Sequence, residues 1–168
     1  MTAALPPGEA WSLFSPDPSP RADLPRWQQQ AATFFDASLS PAQALASPAL
    51  PERAALEIDL RSALGGDATR VRLVTLPLDE APALLAHART AVDAIGGAGF
   101  DALLSRARRV WQVQARPVGQ GDPRAPLVMA AVLASALLAP IVPPGERAAF
   151  GVRGARLRLM DADWPRVR

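Results

Sequence analysis

His87 is the single histidine of the chain, and cysteine, lysine and tyrosine are absent. Chemistry would therefore fall to arginine, aspartate, glutamate, serine, threonine and one imidazole. Without cysteine there is no disulfide, no thiolate nucleophile and no cysteine-bound metal. One histidine excludes multi-histidine metal sites and imidazole dyads. On a helix, His87 would lie opposite the apolar stripe, between Glu80 and Thr90. No serine or cysteine nucleophile adjoins it, and a surface histidine of that kind reads as inert. Asp79–Glu80 is explained as acidic charge at a helix start. Asp161–Asp163 offers two carboxylates, too few for a hard-cation site. GGAG at 96–99 follows a helix, not a strand, so it is no dinucleotide fingerprint, and without lysine there is no P-loop. No catalytic constellation, metal site or cofactor is expected.

RVWQVQAR, residues 109–116, carries a different chemistry. As a strand it sets Trp111, Val113 and Ala115 against a core and turns Gln112, Gln114 and Arg116 to the other side. A small sheet would gather there Arg72 from TRVRLVTL and Arg156 and Arg158 from GARLRLMD, with Arg70 and Arg109 close by. Arginine offers a planar donor fork to carboxylates, and glutamine pairs with backbone amides. Free sheet edges accept an extended peptide by strand addition. Arg72, Gln112, Gln114, Arg116, Arg156 and Arg158 are therefore the candidate partner-binding residues, and the partner is a protein or an acidic peptide. The same side chains would also suit a solvated sheet face with no partner.

Charge is distributed in agreement with such a partner. All 18 basic residues are arginine, so the high isoelectric point of about 10.8 reflects composition, while the net charge is only +2. Residues 1–101 hold 7 Arg against 12 acids, and residues 102–168 hold 11 against 4. An acidic first part and a basic last third suggest an acidic partner or self-association. Lysine, asparagine and tyrosine are missing and isoleucine occurs three times. Their codons are A/T-rich, which points to a GC-rich, bacterial genome.

The elements that must position these residues follow from period and punctuation. Residues 1–22 form a Pro/Ser-rich arm in which Trp11, Leu13 and Phe14 are embedded, docked on its own domain or on another chain. Residues 23–168 are expected to form one α+β domain, with a helical part at 23–66 and a sheet-containing part at 67–168. Asp23 caps a helix with Trp27, Ala31, Phe34 and Phe35 on one side. SPAQ at 40–43 has capping-box spacing, and PERAALEIDLRSALGG reads as a helix closed by Gly65–Gly66. Strands are expected at 69–76, 109–116 and 155–161, forming a small three-stranded antiparallel sheet. It packs on a central apolar helix, LVMAAVLASALLA at 127–139. That run would span about 20 Å as a helix, against a bilayer core of about 30 Å, so no membrane partner is expected. The first residues carry neither a basic nor an apolar signal region, so the expected location is the cytoplasm.

These observations predict a non-catalytic accessory or adaptor protein, the recognition subunit of a larger enzyme complex. Two other classes compete. Residues 80–116, with the basic run SRARR at 105–109, have the order of a helix-turn-helix with a wing, which would make the chain a DNA-binding regulator. A pocket beside the apolar helix would make it a small-ligand binder.

Overall fold

The structure, a computed structural model, describes residues 4–115 and 121–168. In chain order the elements are β1 (Trp11–Ser15), α1 (Leu24–Phe35), β2 (Ala37–Pro41), β3 (Ala54–Ser62) and β4 (Thr69–Pro77). These are followed by a 3-10 turn at Leu78–Glu80, then α2 (Pro82–Ala94), α3 (Phe100–Arg106), β5 (Arg109–Ala115), α4 (Ala125–Leu137), β6 (Ile141–Val142) and α5 (Val152–Asp161). The six strands found among the described residues form one antiparallel sheet in the order β2-β3-β4-β5-β1-β6.

The α+β class stands, but the three-stranded sheet and the helical first part are overturned. Residues 37–41 and 54–62, both inside the part expected to be helical, are strands. Ala37 and Leu39, then Ala54, Ile58 and Leu60, alternate inward, and cross-strand pairing outweighs their helix propensity. Gly65–Gly66 lies between β3 and β4, and both glycines take positive φ, where a side chain would be strained. Trp11–Ser15 of the arm is itself β1, paired with β5 on one side and β6 on the other, so the arm is built into its own domain. Residues 155–161, expected as a strand, belong to α5. Val152, Ala155 and Leu159 make a helical stripe toward the core, and Leu157 is left exposed.

Two cores flank the sheet. On one face Leu13, Ile58, Leu60, Val71, Leu73, Trp111 and Val113 pack under α1, α4 and α5. On the other, Phe14, Val110 and Val142 pack under α2 and α3. Helix α4 is buried from Ala125 to Ala134, with α1 and α5 against it and strands beneath it. Its many alanines let the neighbouring elements approach closely. Among the described residues no helix is long and apolar enough to cross a membrane.

Candidate functional site

The structure divides the six candidate residues. Arg72, Gln112 and Gln114 do share one face of the sheet, since Arg72 stands in register with Gln114 and both alternate away from the α4 side. Arg116 lies outside the described residues. Arg156 and Arg158 are on α5, which packs against the opposite face, and they are already engaged. Arg156 stacks on Phe34 at 4.3 Å, while Arg158 stacks on Phe150 at 4.3 Å and pairs with Glu146 at 2.6 Å. The residues therefore do not form one basic surface.

Nor is the sheet face free of acid. Strand β3 sets Glu57 opposite Arg72 and Asp59 opposite Arg70. Arg70 grips Asp59 through two hydrogen bonds of 2.8 and 2.9 Å, which hold the Asp59 carboxyl below its ordinary range. Gln112 and Gln114 are not wet either, being 0% and 7% exposed. Gln112 holds the backbone of the N-terminal segment. Its Oε1 accepts from the Leu5 N–H at 2.8 Å, and its Nε2 donates to the Leu5 carbonyl at 2.9 Å. The glutamine does pair with an extended backbone, but that backbone is its own chain's.

Both sheet edges are blunted against strand addition. On β2, Pro41 lacks an N–H, and the Leu39 carbonyl already accepts from Gln28 Nε2 at 3.1 Å. Beyond β6, Ile141 exchanges two backbone hydrogen bonds with Phe150. The basic run at 105–109 is also divided: Arg106 and Arg108 are exposed, but Arg109 is 1% exposed and built into the protein. His87 is half-buried on α2, and no group of three potential metal ligands occurs among the described residues.

A different place has the makings of a site. A cleft of about 170 Å³ opens where the β1–α1 loop, the first turn of α1, the middle of β5 and the last turn of α4 meet. Its apolar walls are Trp27, Trp111, Ala136 and Leu137, with the two indoles edge to face at 6.0 Å and 87°. Asp17, Ser19, Arg21, Asp23 and Arg26 supply its polar side. Trp111 is 1% exposed, and its Nε1–H is buried with no acceptor among the described residues. An indole N–H can only donate, and a buried one normally finds a partner. Among the described residues neither Arg21 nor Arg26 has an ion-pair partner.

The surrounding fold fixes this cleft. The Ser15 hydroxyl donates to Asp17 at 2.7 Å, and Asp23 caps α1 by accepting from the Arg26 N–H. The Pro20 carbonyl accepts from Leu50 N–H at 3.0 Å, and Ala22 N–H donates to the Pro48 carbonyl at 2.8 Å. Arg109 donates to the Pro18 carbonyl at 3.3 Å, to the Glu52 carbonyl and carboxylate at 2.6 Å each, and to the Thr75 hydroxyl at 3.5 Å. Arg109, taken from sequence as a neighbour of the binding face, thus braces the cleft loop. The alternation of β5 did turn Trp111 inward, but Arg21, Arg26 and Trp27 come from segments with no local signature linking them to it. Comparison with protein-family models, with curated proteins and with solved structures finds no match to this chain.

Proposed function

We propose that the protein is a non-catalytic accessory or adaptor protein, working in the cytoplasm, that holds an acidic segment of a protein partner, and that the Trp27–Trp111 cleft is its point of engagement. One observation carries this reading. Two arginines with no ion-pair partner among the described residues, Arg21 and Arg26, stand at a cleft lined by two tryptophans. Arginine at the rim and tryptophan in the wall are the residue types that anchor protein interfaces. The paired charges of the sheet face and its blunted edges favour the cleft over the Gln/Arg face.

The test is a quantitative pull-down from the native host with two double variants. Arg21→Glu with Arg26→Glu is expected to lose a stoichiometric partner. Arg156→Glu with Arg158→Glu, folded to the same extent by circular dichroism, is expected to keep it. A partner retained by the first variant and lost by the second would overturn the choice of site.

A further inference from the structure

We infer that Leu138 is the apolar anchor of the partner interface, a leucine held beside the Trp27–Trp111 cleft to receive an aliphatic or aromatic side chain of the bound segment. This rests on the reading of the cleft as the point of engagement and adds the apolar half of what the partner must carry. Leu138 ends α4 and directly follows Leu137, a wall residue of the cleft. Its φ of 54° and ψ of 46° lie in the left-handed region, where a side chain as bulky as leucine is an outlier. The other non-glycine residues with positive φ among the described residues are Asp36, Ala98 and Asp163. Aspartate tolerates that region and alanine is small, so Leu138 is the one large side chain held there.

The fold needs this conformation but not this side chain. The N–H groups of Leu138 and Ala139 both donate to the Ala134 carbonyl and close the end of α4. Glycine or asparagine makes the same closure with less strain. Burial does not offset the strain, because Leu138 is 73% exposed, the highest value for a large apolar side chain among the described residues. A lone exposed leucine on ordinary backbone needs no explanation, and Leu157, 53% exposed within α5, is such a residue. A leucine both strained and exposed is stabilised by nothing in its own fold, and strain of that kind collects at binding surfaces. Ala136 and Leu137, both half-buried, continue its apolar surface into the cleft wall.

Substitution and crosslinking of the intact protein test this. Leu138→Gly should leave the urea midpoint unchanged or raise it, because relief of the left-handed leucine offsets the greater freedom of glycine in the unfolded chain. The same variant should bind the partner, identified by mass spectrometry from the wild-type pull-down, about tenfold more weakly. That is the loss expected when a leucine no longer passes from water into an interface. Leu157→Ala should leave capture unchanged. A benzophenone amino acid incorporated at position 138 should crosslink to an aliphatic or aromatic residue of that partner, and one at position 157 should not crosslink to it.

A lowered midpoint for Leu138→Gly would show the leucine anchored in its own fold and overturn the inference. Undiminished capture by that variant, or a crosslink from position 138 to a wholly polar stretch of the partner, would also overturn it. The inference and the reading beneath it fail separately. A partner lost in the Arg21/Arg26 charge reversal but kept by Leu138→Gly refutes the anchor and leaves the adaptor reading standing. A partner lost by Leu138→Gly but kept in the charge reversal supports the anchor and refutes the acidic segment. A wild-type protein that captures nothing refutes both.

Discussion

Substituting leucine for Gln112 isolates the contact that fastens the N-terminal segment to the sheet. The Gln112 amide is fully buried and meets Leu5 twice, at 2.8 and 2.9 Å. Net contributions of about 1 kcal/mol per neutral hydrogen bond put the pair at about 2 kcal/mol toward holding the segment down. Leucine keeps the bulk of the side chain, so no large cavity opens and the loss is chiefly that of the two bonds. At about 1.4 kcal/mol per factor of ten, the Leu5 amide should exchange with solvent about 30-fold faster. Global stability should fall less, because β1 remains paired on both sides and only the 3.3 Å bond from Gln114 Nε2 to Gln112 is lost from the sheet itself. Hydrogen exchange by NMR reads the Leu5 amide directly, with the Leu13 amide inside β1 as reference. An unchanged Leu5 rate would refute the clamp. Equal acceleration of Leu13 would show that the substitution acts on the whole fold instead.

Gly154→Ala should reverse the usual sign of a glycine replacement in a helix. Alanine gains about 1 kcal/mol of propensity, but its Cβ would lie 2.6 Å from Phe150 Cβ, so a urea melt should show net destabilisation. Trp164→Phe removes the donor that meets the Phe35 carbonyl at 2.7 Å and part of the ring under Arg124, and should cost about 1–3 kcal/mol in the same assay. Acid should destabilise the protein through Asp59 and Asp122, whose carboxyls are lowered chiefly by side-chain hydrogen bonds from Arg70 and Arg124. Because the folded values lie below the unfolded ones, this contribution is complete above the ordinary aspartate value of 3.8 and is lost as pH falls through the folded values. Asp122→Asn should flatten that part of the stability–pH curve, and an unchanged acid limb would exclude the pair as its source.

Several elements were legible in the sequence. Asp23 does cap α1, TRVRLVTL and RVWQVQA are strands, and α2 and the apolar α4 form where their stripes place them. The misreadings fall where two periods fit the same letters. ALEIDLR contains good helix formers, yet its strict alternation of Ile58 and Leu60 with Glu57, Asp59 and Arg61 is what β4 selects. GARLRLM alternates just as well, but its alanine, arginine, leucine and methionine favour the helix, and no neighbouring edge pairs with it. Losing β3 from the sheet also hid Glu57 and Asp59, which stand opposite Arg72 and Arg70. The cleft was not legible. Trp27 and Trp111 meet only once α1 and β5 are brought to the same side of the sheet, and a missing acceptor is a property of that meeting and not of either segment.

The position of β1 bears on how the protein is made. Strand β1 pairs with β5, where Trp11 meets Val113, so it is synthesised about a hundred residues before its partner. At about 5–20 residues per second, Trp11, Leu13 and Phe14 wait roughly 5–20 s for their partner. An unpaired apolar strand is a hazard for wrong pairing during that interval. Pro6 and Pro7 stand on one side of it and Pro16, Pro18 and Pro20 on the other. Proline interrupts the ladder that a stray strand would need, so the sticky run cannot lengthen in either direction. The same prolines that shape the chain around the finished sheet thus guard β1 until β5 has been made.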